Sequence, residues 1–405
     1  MYAHPDDPRD HRRLGRDKDL FRLDPSAPGG VFWRPKGWAM YARLKAVAAA
    51  ANRAAGYDEV QSPDVLDRAL WERSGHWEAY GPHMMPLAAE GRELALKPMN
   101  CPGHALLYNA GPRHEGALPV RFAEFGRVHR MEPSGALHGL LRLRSFTQDD
   151  GHAFCAPHQV EGEVARLDAV ARRLYAALGF GEPEVALSLR PEARIGDDAA
   201  WDSAEAALRA ALDAGGAPYA VQEGEGAFYG PKIEYALRDG RGRLWQCGTI
   251  QLDFHLPGRF GCQWFPSDGG EARIPVLIHR AFLGSLERFL AVLIERDAPH
   301  LPAWLAPLGV AVLPVSERHV PAAQAAWRAC EVAGVDAWCA GHEGALGGRM
   351  RDAQGRDPAW IWVVGDAEEA AGSVAVRSMG ARAPVAMPLG EAIAMVRAGR
   401  ALPQV

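Results

Sequence analysis

Apolar residues recur at helical spacing through residues 37–54, GWAMYARLKAVAAAANRA, and Gly56 follows as a stop, so the first long element reads as a helix. In the next stretch, YDEVQSPDVLDRALWERSG, Pro63 ends a short strand and a helix is expected to start near an Asp64 cap. Residues 118–130, LPVRFAEFGRVHR, and 139–148, GLLRLRSFTQ, are strand-like runs separated by MEPSGALH, the pattern of an antiparallel hairpin. An amphipathic helix is predicted over 161–180, strands over 184–190, 232–237, 243–254 and 273–278, and a helix from Arg288 to about 296. The segment DAPHLPAWLAP, 297–307, then gathers Pro299, Pro302 and Pro307 and reads as a boundary. Beyond it the pattern is strand (LGVAVLPV), helix (PAAQAAWRACEVAG), strand (AWIWVVGD), strand (SVAVRS) and helix (LGEAIAMVRAG), which predicts a small α/β domain with mostly parallel pairing. The expected division is therefore 1–300 and 301–405.

Composition narrows the class. With 405 residues, 48% hydrophobic and 23% charged, the chain is an ordinary globular sequence with room for two domains. The charged start, MYAHPDDPRDHRRLGRDKD, has no apolar core, and no apolar run reaches the length of a membrane span, so a cytoplasmic protein without membrane partners is expected. Six scattered cysteines make no disulfide framework for a chain this long; a special cysteine is then a ligand or a nucleophile. The net charge of −5 argues against a generally basic nucleic-acid coat while leaving room for a local basic face.

Three constellations carry candidate chemistry. Cys101 in KPMNCPGH, His152 in TQDDGHAF and His279 in PVLIHRAFLG are metal-ligand types, and three protein ligands with an open position are the layout of a catalytic zinc. Each taken alone is more often a packed core residue. Arginines beside carboxylates and amides form the second set: Arg130 and Glu132 in HRMEPSG, then Arg142, Gln148 and Asp150 in LLRLRSFTQDD. On strands, alternate residues share a face, so each group is expected to point together. A solvated outer face with paired charges is the plainer alternative. The third set, GEGAFYGPKIEYAL and WQCGTIQLDF, offers Tyr229, Lys232, Gln246, Thr249 and Gln251 among glycines, which suits phosphate although no P-loop is present.

Together, GVFWRPKGW, LWERSGHWEAY, LKPMNCPGH, FGRVHRMEPSGALHGLLRLRSFTQDDGHAF, EGAFYGPKIEYAL, QCGTIQLDF and VLIHRAFLGSLERF resemble the threonine-specific branch of the class II aminoacyl-tRNA synthetases, in order and spacing from His11 to Pro307. The resemblance implies an α+β catalytic domain, an antiparallel sheet with flanking helices, followed by a small α/β domain of anticodon-binding type. It implies a homodimer through the helix and strand that end at Pro63. Its activity would be ATP-dependent formation of threonyl-adenylate and transfer to tRNA. Arg130 would hold the α-phosphate, Glu132 the adenine amino group, Arg142 the outer phosphates, and Arg288 the adenine face and γ-phosphate. Lys232, Gln246 and Thr249 would complete the ATP site, with Mg2+ bridging phosphates. A guanidinium suits these tasks because it is planar and permanently charged. Cys101, His152 and His279 would bind Zn2+, with Gln148, Asp150, Tyr229 and Gln251 around threonine and His76 relaying a proton in the transfer step. His104, three residues after Cys101, is expected to be structural, and His104→Asn to keep most of the metal.

Two departures from the family pattern follow. The chain starts almost at the catalytic domain, so a form without its own domain for hydrolysing seryl-tRNA is expected. Residues 301–405 hold nine arginines and no lysine against ten carboxylates, a formal charge of −1. Ala370 and Met379 stand where the family places a base-reading acid and a base-reading arginine, which predicts weakened anticodon recognition. The alternative is a paralogue that activates threonine or a related β-hydroxy amino acid for a carrier protein or another RNA. A non-catalytic module on the same fold is a third reading, disfavoured by the survival of the ATP and zinc positions.

Overall fold

The computed structural model describes residues 7–381 and 383–405. These form two compact units, one of residues 25–30, 48–292 and 404–405, the other of residues 7–24, 31–47, 293–381 and 383–403. The division is thus not a single cut at residue 300, because the N-terminal segment packs with the C-terminal residues.

The larger unit is built on one eight-stranded sheet. In chain order its elements are the second part of helix α1 (Pro35–Ala54), β1 (Asp58–Glu59), α2 (Cys101–Tyr108), β2 (Val120–His129), β3 (Ser145–Cys155), α3 (Val160–Ala177), β4 (Glu184–Ser188), α4 (Asp198–Gly215), β5 (Ala220–Gln222), β6 (Lys232–Arg238), β7 (Leu244–Asp253), β8 (Val276–Ser285) and the first part of α5 (Leu286–Asp297). The strand order is β5-β4-β6-β7-β8-β3-β2-β1; only the two outermost pairings, β5 with β4 and β1 with β2, are parallel. Both faces of the central strands are covered: eight consecutive residues of β8, Val276–Leu283, are buried. On one face lie α3 and its neighbours, where Tyr175 Oη donates to the Phe282 carbonyl at 2.6 Å and Tyr235 Oη to Asp168 at 2.7 Å. On the other, α2 is laid across β3, with Tyr108 stacked on Phe154 at 4.3 Å between ring centroids.

The sheet differs from the sequence expectation in register. The second strand of the expected hairpin runs over 145–155 rather than 139–148, because Gly139–Leu141 coil into a 3-10 turn that Gly139 opens with a φ of +54°. Arg142 therefore precedes the strand, and Glu132 lies in the loop after β2, so neither alternates with its expected partners. The short helix after Pro63 is Arg68–Ser74; its cap is Asp67, whose carboxylate accepts from the Ala69 N–H at 3.0 Å, while Asp64 stands before a strand at 65–67. Helix α5 begins two residues before Arg288.

The smaller unit holds β9 (Leu308–Pro314), α6 (Val320–Val332), β10 (Ala337–Cys339), α7 (Leu346–Gly355), β11 (Pro358–Val364), β12 (Ser373–Ser378), β13 (Val385–Pro388) and α8 (Leu389–Arg400) in a sheet of order β10-β9-β11-β12-β13. Two pairings are parallel and two antiparallel, so the sheet is evenly mixed. The cause is the link between β11 and β12, which contains only the six-residue helix Asp366–Ala371 ended by Gly372; a parallel crossover needs a dozen residues or more. In the same unit, buried Asp10 and His11 open the helix His11–Asp17. His11 Nδ1 meets Glu295 at 2.7 Å and Arg12 closes on Asp10 at 2.8 Å, an internal ionic latch.

Candidate active site

Strand register assembles the site. Lys232 pairs with Gln251, Gln251 with His279, His279 with His152 and His152 with Phe122, so residues far apart in the chain form one row across five strands. The neighbouring row runs Glu234, Thr249, Ala281, Asp150 and Glu124. Side chains of both rows point to the face that α2 covers, because period-two alternation carries Gln148, Asp150 and His152 to the same side. Above them is a cavity of about 350 Å³. Its wall includes Cys101, Arg130, Gln148, Asp150, His152, Tyr229, Lys232, Thr249, Gln251 and His279 from the expected set, with Tyr80, Met99, Phe228 and Arg280 added.

At one end of the cavity the thiol of Cys101 and the imidazoles of His152 and His279 are all buried, and one donor atom from each lies within 4.8 Å of the others. His152 Nε2 and His279 Nδ1 face each other at 3.0 Å. Asp253 meets His279 Nε2 at 3.2 Å and accepts from the backbone N–H groups of His255 and Leu256 at 2.7 and 2.9 Å. Burial alone would raise the Asp253 pKa, yet these bonds hold it below the ordinary value, so the carboxylate accepts and His279 donates from Nε2. The lone pair of His279 Nδ1 is thereby directed at His152 Nε2. Burial also pushes the Cys101 thiol well up and the His152 imidazolium well down, which leaves His152 a neutral ring with an available lone pair. A cation bound by one thiolate and two imidazole nitrogens relieves each of these costs, and nitrogen and sulfur donors with an open side suit zinc.

The other end of the cavity is cationic. Arg130 follows β2, donates to the Pro98 carbonyl at 3.2 Å and lies over the Phe146 and Tyr80 rings at 5.2 and 5.7 Å. Lys232 reaches the cavity while paired with Glu234 at 2.8 Å. Glu132 and Arg142 are outside the cavity lining and pair with each other, Arg142 Nε to Glu132 Oε2 at 2.9 Å. Arg288 is held by the carbonyls of Leu141 and Gln246 at 2.9 and 3.2 Å; burial, with Arg130 and Arg142 close by, lowers its pKa. Gln246 turns its amide to Glu234. Tyr229 bonds Gln251, which donates to Thr249 at 3.0 Å, and Asp150 accepts from Asn100 at 2.9 Å. Burial raises the Asp150 pKa.

His76 is not on this wall. It is buried behind Cys101, its Nε2 3.7 Å from the sulfur and 3.2 Å from Met99 Sδ, and burial lowers its pKa to about 4. Glu124, Asn100 and Asp253, which sequence reasoning passed over, border the site, and so does His104, expected there only as a structural residue. Glu124 is wholly buried and accepts from His104, Lys97, Ser62 and Gln61, which overcome the effect of burial and bring its pKa down to about 2. The signal available was Lys97, one of five lysines, inside KPMNCPGH.

Comparison with known proteins agrees with this geometry. Residues 86–297 match the tRNA synthetase class II core domain (G, H, P, S and T), and residues 309–399 match an anticodon binding domain. The chain is 48% identical over 381 residues to a threonine--tRNA ligase of Dechloromonas aromatica, covering 94% of this chain and 60% of the relative. It is 47% identical over 390 residues to that of Thiobacillus denitrificans, covering 96% and 61%. The chain thus spans about 60% of the length of the curated relatives it matches. Among solved structures, the RNA binding domain of threonyl-tRNA synthetase from Cryptosporidium parvum superposes with a TM-score of 0.91 at 38% identity, covering 98% of this chain and 99% of that one. A threonyl-tRNA synthetase from Aeropyrum pernix gives 0.81 at 29% identity, with 98% of each chain covered. A class II core match over more than half of the chain, an anticodon-binding match after it, and 38% identity across nearly the whole of a solved threonyl-tRNA synthetase chain lead to one conclusion: the chain belongs to the threonyl-tRNA synthetase family of the class II synthetases.

Proposed function

We propose that the chain activates L-threonine with ATP and transfers it to tRNA(Thr), with residues 1–300 as the catalytic part and 301–405 as the tRNA-binding part. The observation that carries this reading is the single cavity that joins a buried Cys101–His152–His279 cluster to Arg130 and Lys232. Zinc held by those three residues would supply open positions for the amino and hydroxyl groups of threonine. Asp150, fixed by Asn100, accepts the hydroxyl's hydrogen bond, and Gln148, Tyr229 and Gln251 border the amino acid. A site that must engage the hydroxyl rejects valine far more strongly than the roughly hundredfold available to an apolar pocket.

Activation joins the threonine carboxylate to the α-phosphorus and releases pyrophosphate. Its barrier falls through positioning and charge neutralisation, which Arg130 performs beside the α-phosphate. Lys232 and Thr249 extend the polar wall; Arg288, Arg142, Glu132 and Gln246 serve the adenine and outer phosphates, with Mg2+ accompanying ATP. For this the Glu132–Arg142 pair must open, since the two side chains bond each other. His76 relays the proton in transfer to the terminal ribose. A homodimer through the segment ending at Pro63 completes the reading.

Met379 packs against the buried cluster of Ala311, Leu313, Ala340, Ala353 and Ile361, and Ala370 lies on the short helix before β12, so neither offers a polar group to a base. Reduced dependence on the middle anticodon base follows. ATP/pyrophosphate exchange with threonine, zinc analysis, and charging of a tRNA(Thr) transcript with and without a changed middle anticodon base test the proposal together. Cys101→Ser is expected to lose both zinc and exchange; stoichiometric zinc with full exchange in that variant overturns the assignment. His76→Ala is expected to slow transfer while exchange persists.

A further inference from the structure

The histidine beside the cysteine has a task of its own. His104 is fully buried on α2, one helical turn from Cys101, with His152 Nδ1 2.8 Å from its Nδ1 and Glu124 Oε2 3.0 Å from its Nε2. Glu124 is itself gripped by donors: Lys97 Nζ at 2.6 Å, the Ser62 hydroxyl at 2.8 Å, Gln61 Nε2 at 2.9 Å and the Ser62 N–H at 3.2 Å. Every one of these gives a hydrogen to the carboxylate, so the remaining contact, His104 Nε2, also donates. A His104 ring that donates from Nε2 and carries no second proton has its lone pair on Nδ1. Facing it at 2.8 Å, His152 Nδ1 must be the donor, which places the His152 lone pair on Nε2, the nitrogen that faces His279.

We propose that His104 is a positioning residue for zinc: clamped by Glu124, it accepts the Nδ1–H of His152 and so selects Nε2 of His152 as the metal-binding nitrogen. Histidine ligands commonly donate their distal N–H to a carboxylate or carbonyl, and the partner fixes both tautomer and ring orientation. On the opposite side of the cluster Asp253 does this directly for His279. For His152 the carboxylate acts at one remove, through a second imidazole, because β2 places Glu124 across from Asp150 rather than across from His152. Ser62 and Lys97 complete the clamp.

This inference rests on the zinc reading above. The test measures zinc affinity by chelator competition and the visible absorption of the Co2+-substituted protein, for the full chain and its variants. His104→Leu, which removes the acceptor, is expected to weaken zinc by about 10- to 100-fold and to alter the Co2+ ligand-field bands. His104→Asn sets Oδ1 where Nδ1 stood and is expected to stay within about threefold of the parent, on the same acceptor argument. His104→Asn is thus expected to keep the metal because it still accepts, not because His104 is merely structural. Equal affinity and an unchanged Co2+ spectrum in His104→Leu overturn the proposal. So does His104→Asn falling as far as His104→Leu, because only packing volume would then matter. Should the leucine variant fail to fold, Glu124→Gln keeps both histidines and loosens the clamp; it is expected to lose several-fold in affinity, and parent-like affinity overturns the proposal. A parent protein that binds zinc no better than Cys101→Ser sinks the zinc reading itself, an outcome distinct from an unaffected His104→Leu.

Discussion

Gly126 offers a clean perturbation of threonine recognition from outside the cavity. It lies on β2 in register with Gln148, and its backbone is ordinary extended strand, so alanine brings no conformational strain. An added Cβ would stand 2.1 Å from Asn100 Oδ1 and 2.5 Å from both Cγ and Nδ2. Asn100 must therefore move, and with it the 2.9 Å bond that it donates to Asp150. A hydrogen bond to a charged group contributes about 1.5–3 kcal/mol, so Gly126→Ala should lower kcat/KM for threonine by about 10- to 150-fold. The KM for ATP should hold, since Arg130 is held by the Pro98 carbonyl and the Phe146 and Tyr80 rings, whereas the Asn100 amide bonds Asp150. In ATP/pyrophosphate exchange, Asn100→Ala should match Gly126→Ala. The double variant should be no worse than either single one, because the new methyl then occupies the space vacated by the amide. Multiplicative losses in the double variant, or a parent-like threonine KM in Gly126→Ala, refute the reasoning.

Other consequences follow from the buried charges and the pocket chemistry. Glu124, carried from an ordinary 4.5 to about 2, contributes stability that is complete above pH 4.5 and is lost as pH falls towards 2. The urea-midpoint advantage of the parent over Glu124→Gln should shrink between pH 5 and pH 3, by about 1–3 kcal/mol; a constant difference contradicts the clamp. Asp149 binds Arg280 at 3.0 Å and the N–H groups of Phe282 and Leu283 at 3.1 Å each, all buried, so Asp149→Ala should cost about 3–5 kcal/mol in urea unfolding. A loss below about 1 kcal/mol would show that the pair is dispensable. Serine carries the same amino and hydroxyl groups as threonine and lacks one methyl, worth about 1–3 kcal/mol, so exchange should show it only about 10- to 200-fold poorer than threonine; discrimination beyond one part in about ten thousand would mean the pocket reads the methyl by other means.

Periodicity and turn chemistry made the strands around 120, 232 and 244 legible, since buried alternation and β-branched runs are local properties, whereas the strand expected over 273–278 runs over Val276–Ser285. The three metal-ligand types were legible as a set because whole segments resembled a family, not because spacing brought Cys101 to His152. Glu124 was invisible for the opposite reason. A carboxylate inside VRFAEFGRV reads as the solvent side of a strand, and what keeps it buried and ionised comes from Ser62, Lys97 and His104, on other elements. Arg142 and Glu132 were misplaced because a 3-10 turn at Gly139–Leu141 stands where a strand was expected, and alternation cannot be counted through it.

The adjacent aspartates of TQDDGHAF show how much hangs on that register. Asp149 points to the opposite face, the one α3 covers, where it pairs with Arg280, and Gly151 next but one has no side chain, which lets the guanidinium lie across the strand; a Cβ there would stand 2.4 Å from Arg280 Cζ. Asp150 points to the cavity, beside Gln148 and His152. A slip of one residue would exchange the two roles, setting the cavity carboxylate against Arg280 and directing Asp149 and Gly151 to the cavity in place of Asp150 and His152. The core pair on one face thus fixes the registration that the chemistry on the other face requires. Replacing Asp149 should therefore disturb zinc and threonine binding as well as stability, although its side chain never meets either.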